Sequence, residues 1–170
     1  MKLIANKIIS ICPDQILLTM AFTWLTGFFI VVGGLDQVGL LKLIANRIIS
    51  ICPDQILLTM AFTWLTGFAS ALIDNIPLTM TFIPVTQAII MHAKQLTQPL
   101  IWGLVFGANL GGNLTPIGSP SNIVALGILE RNGCKGFFRK FFKIGAIAAL
   151  IHLALANLYI LLRFVLKLWP

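Results

Sequence analysis

Long apolar runs, separated by short polar gaps, constrain the fold of this chain more than any other feature. The runs cover residues 15–35, 55–73, 76–93 and 144–162, and a fifth run, 99–130, carries polar residues in its middle. A helix of roughly 20 apolar residues crosses the hydrocarbon core of a bilayer. Only 10% of the residues are charged, whereas soluble domains carry about 25%. The sequence therefore predicts an all-α, polytopic helical membrane protein that is surrounded by lipid.

The basic residues lie in the gaps between the apolar runs. The net charge is +7, and residues 131–143 contain several Lys and Arg side chains with no acid after Glu130. These cations are Arg131, Lys135, Arg139, Lys140 and Lys143. Short loops rich in Lys and Arg stay on the cytoplasmic side of a membrane. We therefore expect loop 131–143 to face the cytoplasm of a prokaryotic cell, and we expect no nucleic-acid partner.

The cysteine and histidine residues form no metal-binding or redox pattern. Cys12 and Cys52 are copies of one position, Cys134 stands alone, and His92 and His152 are sixty residues apart. Because there is no CxxC pair and no even cysteine framework, neither a disulfide nor a metal site of these residues is indicated. We expect the cysteines to pack against apolar residues or to be free thiols, and the histidines to pack or to contact helix ends.

The first part of the chain is a near-copy of a later segment. Residues 2–28 reappear as 42–68 with one conservative difference. Such identity indicates a recent tandem copy, so we divide the chain into a duplicated segment, 1–28, without a specific role, and a membrane domain, 29–170. Because the segment recurs inside the chain and its first apolar run is cut short by Pro13, we expect no cleaved signal peptide.

Local signals predict where several helices begin and end. The run 15–35 reads as one helix that ends before Asp36. Residues 40–51 have apolar side chains at helical spacing and predict a short helix lying in the membrane interface. Asp54, as an N-cap, or Pro53 can begin the next helix. Pro77 fits the first turn of the helix after that, where its missing N–H costs nothing.

The fifth apolar run is interrupted by "GGNLTPIGSPSN", residues 111–122. Its prolines and glycines oppose a continuous helix, while unpaired backbone exposed to lipid is not tolerated. We therefore predict a discontinuous helix whose broken middle is shielded by protein and lines a polar cavity. A helix kink satisfied by its neighbours is the alternative. Before the break, Gly103, Gly107 and Gly111 share one helix face, where a second helix can approach closely.

Asp74 and Asn75 form a polar tip between two apolar arms, and either residue can cap the second arm. A carboxylate at membrane depth costs about 2.5–3.5 kcal/mol, which indicates a cation or proton partner. Broken helices and freed carbonyls build the ion sites of secondary transporters. A water-exposed turn between two full spans is the alternative. An enzyme is not indicated, because acid catalysis normally needs a second carboxylate, and Asp36 and Glu130 lie at helix ends.

A resemblance follows from two motifs taken together. "ALIDNIPLT" and, some thirty residues later, "GANLGGNLTPIGSPSNIVALG" resemble the arsenite/citrate-type ion transporter superfamily. The branch with arsenite pumps, sodium/proton antiporters and the P protein is the most similar. "FFIVVGGLDQVGLL" also matches the run before the interfacial helix of that family. The resemblance covers roughly residues 29–168.

The resemblance implies half of an inverted-repeat transporter, with a re-entrant helical hairpin and a discontinuous transmembrane helix. Asp74 and Asn75 would form the hairpin tip. The ion- or substrate-binding residues at the helix break would be Asn109, Gly112, Asn113, Thr115, Gly118, Ser121 and Asn122. A sodium ion would lie at Asp74, Asn75, Thr115 and Asn122. No catalytic residue and no cofactor beyond a coupling sodium ion or proton is implied.

The family resemblance also implies a longer protein, because this chain matches only the C-terminal half of such transporters. We therefore expect a truncated secondary active transporter, an arsenite/citrate-type permease or antiporter that moves an inorganic ion or small anion. It would need the missing N-terminal half, or self-association into a homodimer. The alternative is a non-functional, membrane-inserted remnant of such a transporter gene, which the near-perfect duplication favours.

Overall fold

The computed structural model describes the backbone of residues 2–52, 54–133 and 136–166, and side chains from Thr19 onward except those at 21 and 165. Within these residues the fold is all-α. The helices are α1 (Lys2–Gln37), α2 (Leu40–Ile51), α3 (Gln55–Ser70), α4 (Asn75–His92), α5 (Thr97–Gly111), α6 (Pro120–Arg131) and α7 (Phe137–Val165), with a 3₁₀ turn at Lys94–Leu96. The predicted short helix at 40–51 is confirmed.

Helix α1 is longer than the sequence predicts. We expected a helix over 15–35, but the backbone is helical from Lys2 to Gln37 and continues through Pro13. A proline inside a helix removes one backbone donor and strains the preceding turn, yet the helix passes it. The repeated segment behaves differently, because its equivalent region ends α2 at Ile51 and starts α3 at Gln55.

The length and hydropathy of the helices distinguish a membrane span from shorter arms. In the described residues, Phe137–Phe164 is long and apolar enough to cross a bilayer, with a mean hydropathy of 2.1. Phe22–Gln37 and Leu40–Ile51 together meet the same criterion, although they are bent by 64°. Helix α3 has 16 residues, or about 24 Å at the helical rise, which is short of the ~30 Å hydrocarbon core.

Helices α3 and α4 form the predicted hairpin, and their first turns follow the expected capping chemistry. The Asp54 carboxylate accepts a hydrogen bond from the Leu57 N–H at 2.8 Å, which confirms Asp54 as the N-cap of α3. Pro77 lies in the first turn of α4, as predicted. Asp74 is the N-cap residue of α4, but its side chain makes no capping hydrogen bond.

Helix α5 packs closely against α3 along the predicted glycine face. A Cβ atom added at Gly103 would lie 2.7 Å from the Thr63 hydroxyl oxygen. One added at Gly107 would overlap the Thr66 hydroxyl, and one added at Gly111 would overlap the backbone of Gly67. The three glycines therefore form a groove that holds the polar side of α3.

Two apolar clusters hold α2, α4 and α7 around this pair. The first joins α2, α3, α4 and α5 through residues such as Ala45, Phe62, Ile89 and Leu100, which are all at most 1% exposed. The second joins α3 and α5 to α7, where Leu153 is fully buried. Helix α5 therefore lies among α3, α4 and α7.

We predict that Gly107→Ala destabilises the protein, because the added Cβ would overlap the Thr66 hydroxyl and lie 2.8 Å from the Thr63 carbonyl oxygen. Overpacking of this kind costs about 1–3 kcal/mol. Thermal unfolding in detergent should show a lower midpoint. Gly127→Ala is the control, because a Cβ there meets nothing within 4 Å. An unchanged midpoint for Gly107→Ala would contradict the close packing of α3 and α5.

Candidate functional site

The predicted break in the fifth apolar run is present. Helix α5 ends at Gly111 and α6 begins at Pro120, with turns between them. The Leu114 N–H donates to the Gly111 carbonyl at 2.9 Å, and the Gly118 N–H donates to the Thr115 carbonyl at 3.3 Å. A stretch of eight non-helical residues is a discontinuous helix and not a kink, so the kink alternative is wrong.

The hairpin tip lies against this break. The Thr115 hydroxyl donates to the carbonyl oxygen of Ala71, the residue that follows the last residue of α3. A Cβ added at Gly118 would lie 2.9 Å from the Ser70 carbonyl oxygen, so the two backbones are in close contact. One added at Gly112 would lie 2.9 Å from the Asn75 Oδ1. The structure therefore brings the two sequence motifs together.

Asn122 closes the break from the other side. Its Nδ2 donates to the Gly112 carbonyl at 3.2 Å and lies 3.5 Å from the Thr115 carbonyl. Both carbonyls belong to the broken segment, and the Thr115 carbonyl also accepts from the Gly118 N–H. Asn122 is in the first turn of α6, so it links the beginning of this helix to the end of α5.

Ser70 is a member of the site that the sequence analysis missed. This last residue of α3 is fully buried, and its hydroxyl contacts the Ala108 carbonyl at 2.5 Å and the Asn75 Oδ1 at 2.7 Å. In sequence it resembles an ordinary serine bonding to its own helix. A serine one turn before an Asp-Asn pair is the signal that could have identified it.

Four helix ends meet at this site. The C-termini of α3 and α5 lie beside the N-termini of α4 and α6, through the contacts of Ser70, Thr115 and Asn122. Helix C-termini carry partial negative charge and helix N-termini partial positive charge. Asp74 adds a half-buried carboxylate at the N-terminus of α4. The arrangement provides oxygen ligands for a cation next to N–H groups that suit an anion.

The Asp74 side chain is not engaged by the described residues around it. Its backbone carbonyl accepts from the Leu78 N–H at 3.1 Å, but its carboxylate has no hydrogen bond or ion pair among the residues that the structure describes. A carboxylate that neither caps its helix nor pairs with a described cation is available to a ligand.

Three of the predicted site side chains lie outside this hydrogen-bonded cluster. Asn109 is exposed and donates to the Val105 carbonyl of its own helix at 2.8 Å. Asn113 and Ser121 are also exposed, and Ser121 shares a hydrogen bond with Ser119. The structure thus brings together Asn75, Gly112, Thr115, Gly118 and Asn122 next to Asp74.

The groups at the site that could coordinate an ion are oxygen atoms. The described residues contain no group of three or more His, Cys, Asp or Glu side chains that could hold a metal ion. The oxygens near the tip come from one carboxylate, amides, hydroxyls and backbone carbonyls. Unwound carbonyls and helix C-termini of this kind coordinate sodium ions in transporters.

Comparison with known families shows the family to which the chain belongs. A family described as citrate transporter matches residues 2–169, almost the entire sequence. The chain belongs to the citrate transporter family. This confirms the resemblance drawn from the motifs at the hairpin tip and the helix break, and with the all-α fold it makes this a helical membrane protein.

Individual relatives of this citrate transporter family member are similar over part of their length. An uncharacterized transporter of Mycobacterium tuberculosis is 39% identical over 97 residues, which are 56% of this chain and 23% of the relative. The human P protein is 39% identical over 104 residues, which are 59% of this chain and 12% of that protein. A 46 kDa membrane protein of Mycobacterium leprae is 37% identical over 97 residues, 56% of this chain and 23% of the relative. The chain spans about a quarter or less of these relatives.

We predict that Thr115→Val loosens the contact between the break and the hairpin tip. Valine keeps the shape of threonine but cannot donate to the Ala71 carbonyl, and an unpaired buried acceptor costs about 1–3 kcal/mol. Hydrogen–deuterium exchange over residues 70–75 should become faster. Thr81→Val is the control, because Thr81 bonds only to Pro77 within α4. Equal exchange in both variants would show that Thr115 does not hold the tip.

Proposed function

We propose that this chain forms one half of the ion site of a secondary active transporter, which moves an inorganic ion or small anion together with sodium ions or protons. The observation that supports this most directly is the meeting of four helix ends beside a free carboxylate, Asp74. The citrate transporter family and the transporter names of the relatives support the same conclusion. We therefore propose transport, and not catalysis, as the activity.

A coupling sodium ion fits the side of the site formed by the tip. The side-chain oxygens available there belong to Asp74, Asn75, Thr115 and Asn122, which surround the ends of α3 and α5. A negative carboxylate next to helix C-termini favours a cation. Protonation of Asp74 is the other way to neutralise this group, so a proton-coupled cycle uses the same residue.

The transported anion fits the side of the site where the helix N-termini carry partial positive charge. In the described residues neither α4 nor α6 has a side-chain hydrogen bond that caps its N-terminus. Helix α4 begins with the N–H groups of Asn75 and Ile76. In α6, Pro120 has no N–H and the Asn122 N–H donates to the Ser119 carbonyl at 3.1 Å, which leaves the Ser121 N–H. Uncapped helix N-termini bind carboxylate and oxyanion groups. We infer a small anion as substrate, with citrate favoured by the family description and arsenite by the resemblance to arsenite pumps.

The site needs a second wall to be enclosed from lipid. Ser121, Asn113 and Asn109 are exposed beside it, and polar groups facing hydrocarbon are costly. We propose that an inverted second half covers this face, either as further sequence of the same transporter or as a second copy of this chain in a homodimer. The match covers only 23% and 12% of the length of two relatives, which supports the proposal that a second half completes the site.

A non-functional remnant is the second candidate, and one observation favours it. Residues 2–28 repeat 42–68 almost without change, yet the exposed fraction of Phe22 is 62% whereas its counterpart Phe62 is fully buried. The duplicated copy thus repeats a core sequence without forming the same core. Transport assays on reconstituted protein distinguish the two candidates.

We predict that Asp74→Asn abolishes sodium- or proton-coupled uptake in reconstituted vesicles. Asparagine keeps the size of the side chain but removes its negative charge, and expression should stay near normal because Asp74 caps no N–H group with its side chain. Asp36→Asn is the control, since Asp36 is an exposed acid at the end of α1. Unchanged uptake by the Asp74 variant would remove the role proposed for it.

We also predict that the basic loop 131–143 faces the cytoplasm. The described cations Arg131, Arg139, Lys140 and Lys143 are exposed, as expected of a loop in water. With the native cysteines replaced, Arg139→Cys should react with a membrane-impermeant thiol reagent only after the cells are permeabilised. Labelling of intact cells would place this loop outside and reverse the orientation.

A further inference from the structure

The C-terminus of α5 leaves a buried carbonyl group that depends on Ser70. Ala108 lies in the last turn of α5 and is 1% exposed. The Gly112 N–H, which would continue the helical ladder to Ala108, bonds to the Leu110 carbonyl instead. A buried carbonyl without a donor is costly. The Ser70 hydroxyl, 2.5 Å away, supplies that donor.

The Ser70 hydroxyl has a second neighbour, and its single proton cannot serve both. The side-chain amide of Asn75 lies 2.7 Å from the same oxygen. A hydroxyl group donates one hydrogen and accepts through its lone pairs. If that hydrogen is directed to the Ala108 carbonyl, the Asn75 atom facing Ser70 must be a donor, which is the Nδ2 group and not the carbonyl oxygen. Amide orientations are assigned from such networks, because N and O are nearly indistinguishable.

We propose that Ser70 is a positioning residue that orients the Asn75 side chain. The chain of hydrogen bonds runs from Asn75 Nδ2 to Ser70 Oγ and from Ser70 Oγ to the Ala108 carbonyl. The far atom of the Asn75 amide has no partner among the described residues in either orientation. With Nδ2 turned to Ser70, that free atom is the carbonyl oxygen.

The orientation of the Asn75 amide decides whether the hairpin tip binds a cation or an anion. A free oxygen on Asn75, the residue after Asp74, is a ligand for a cation, whereas a free NH₂ group would repel a cation and favour an anion. This inference rests on the proposed transport function, and it names sodium ion as the ligand of the Asp74 and Asn75 pair. The anion then belongs at the N-terminus of α6, across the break.

A double-mutant cycle on sodium affinity tests this role. Sodium binding to the purified chain is measured by thermal stabilisation against sodium concentration, with potassium as the reference salt. Loss of one oriented ligand through Ser70→Ala should raise the half-saturating sodium concentration about tenfold. Asn75→Ala should give a similar rise, and the double variant should be no worse than Asn75→Ala alone, because Ser70 acts through Asn75.

A purely structural role for Ser70 gives a different result. It would lower the unfolding midpoint without sodium and leave the sodium affinity unchanged, or its effect would add to that of Asn75→Ala, and either outcome overturns the proposal. Ser70→Thr, which keeps the hydroxyl, should restore affinity. If Ser70→Ala does not fold, Ser70→Cys, with its weaker donor, should still raise the half-saturating concentration, and an unchanged value overturns the proposal.

The same experiment separates this inference from the proposed function. A wild-type chain without any sodium-specific stabilisation overturns both the sodium assignment and the positioning role. A wild-type chain that binds sodium and loses binding in Asp74→Asn, but not in Ser70→Ala, leaves the transporter site intact and overturns only the role of Ser70.

Discussion

The site depends on one constraint: backbone groups freed at a helix break inside a membrane need hydrogen-bond partners from the protein. The break in this chain meets that need with side chains from three different elements. Ser70 donates to the Ala108 carbonyl, and Thr115 donates to the Ala71 carbonyl. Asn122 donates to the Gly112 carbonyl. Because each partner comes from across the site, the hairpin tip and the broken helix hold each other in place.

The contact between the hairpin tip and the broken helix requires α3 and α5 to approach closely, and small residues permit this approach. Gly107 and Gly111 lie where any side chain would collide with Thr66 or Gly67 of α3. In lipid, helix association relies on such close packing, since apolar burial alone gives little advantage there. The glycine groove therefore sets the position of α5, which in turn places its C-terminal carbonyls beside Ser70 and Asn75.

The helix break and the helix starts around the site could be predicted from the sequence, and the reasons are local. The polar break at 111–122 opposes helix by composition, and Asp54 and Pro77 carry capping and first-turn signals that need no tertiary information. The role of Ser70 could not be predicted in this way, because a serine in an apolar helix usually bonds to its own backbone. Similarly, the spacing of Asn109 and Asn113 does not reveal that both side chains are exposed, because their direction depends on the packing of α5.

The sequence by itself determined the helical membrane fold, the hairpin tip and the helix break, because periodicity, Pro and Gly act within a few residues. Only the tertiary structure decided how the duplicated segment folds. Residues 2–28 form part of one continuous helix, whereas the nearly identical residues 42–68 divide into α2 and α3. The second copy packs Phe62 into the core, while Phe22 of the first copy remains exposed. In the second copy, packing of α2 against α4 and of α3 against α5 favours two separate helices. Because the local sequence is nearly identical in the two copies, it cannot encode that difference.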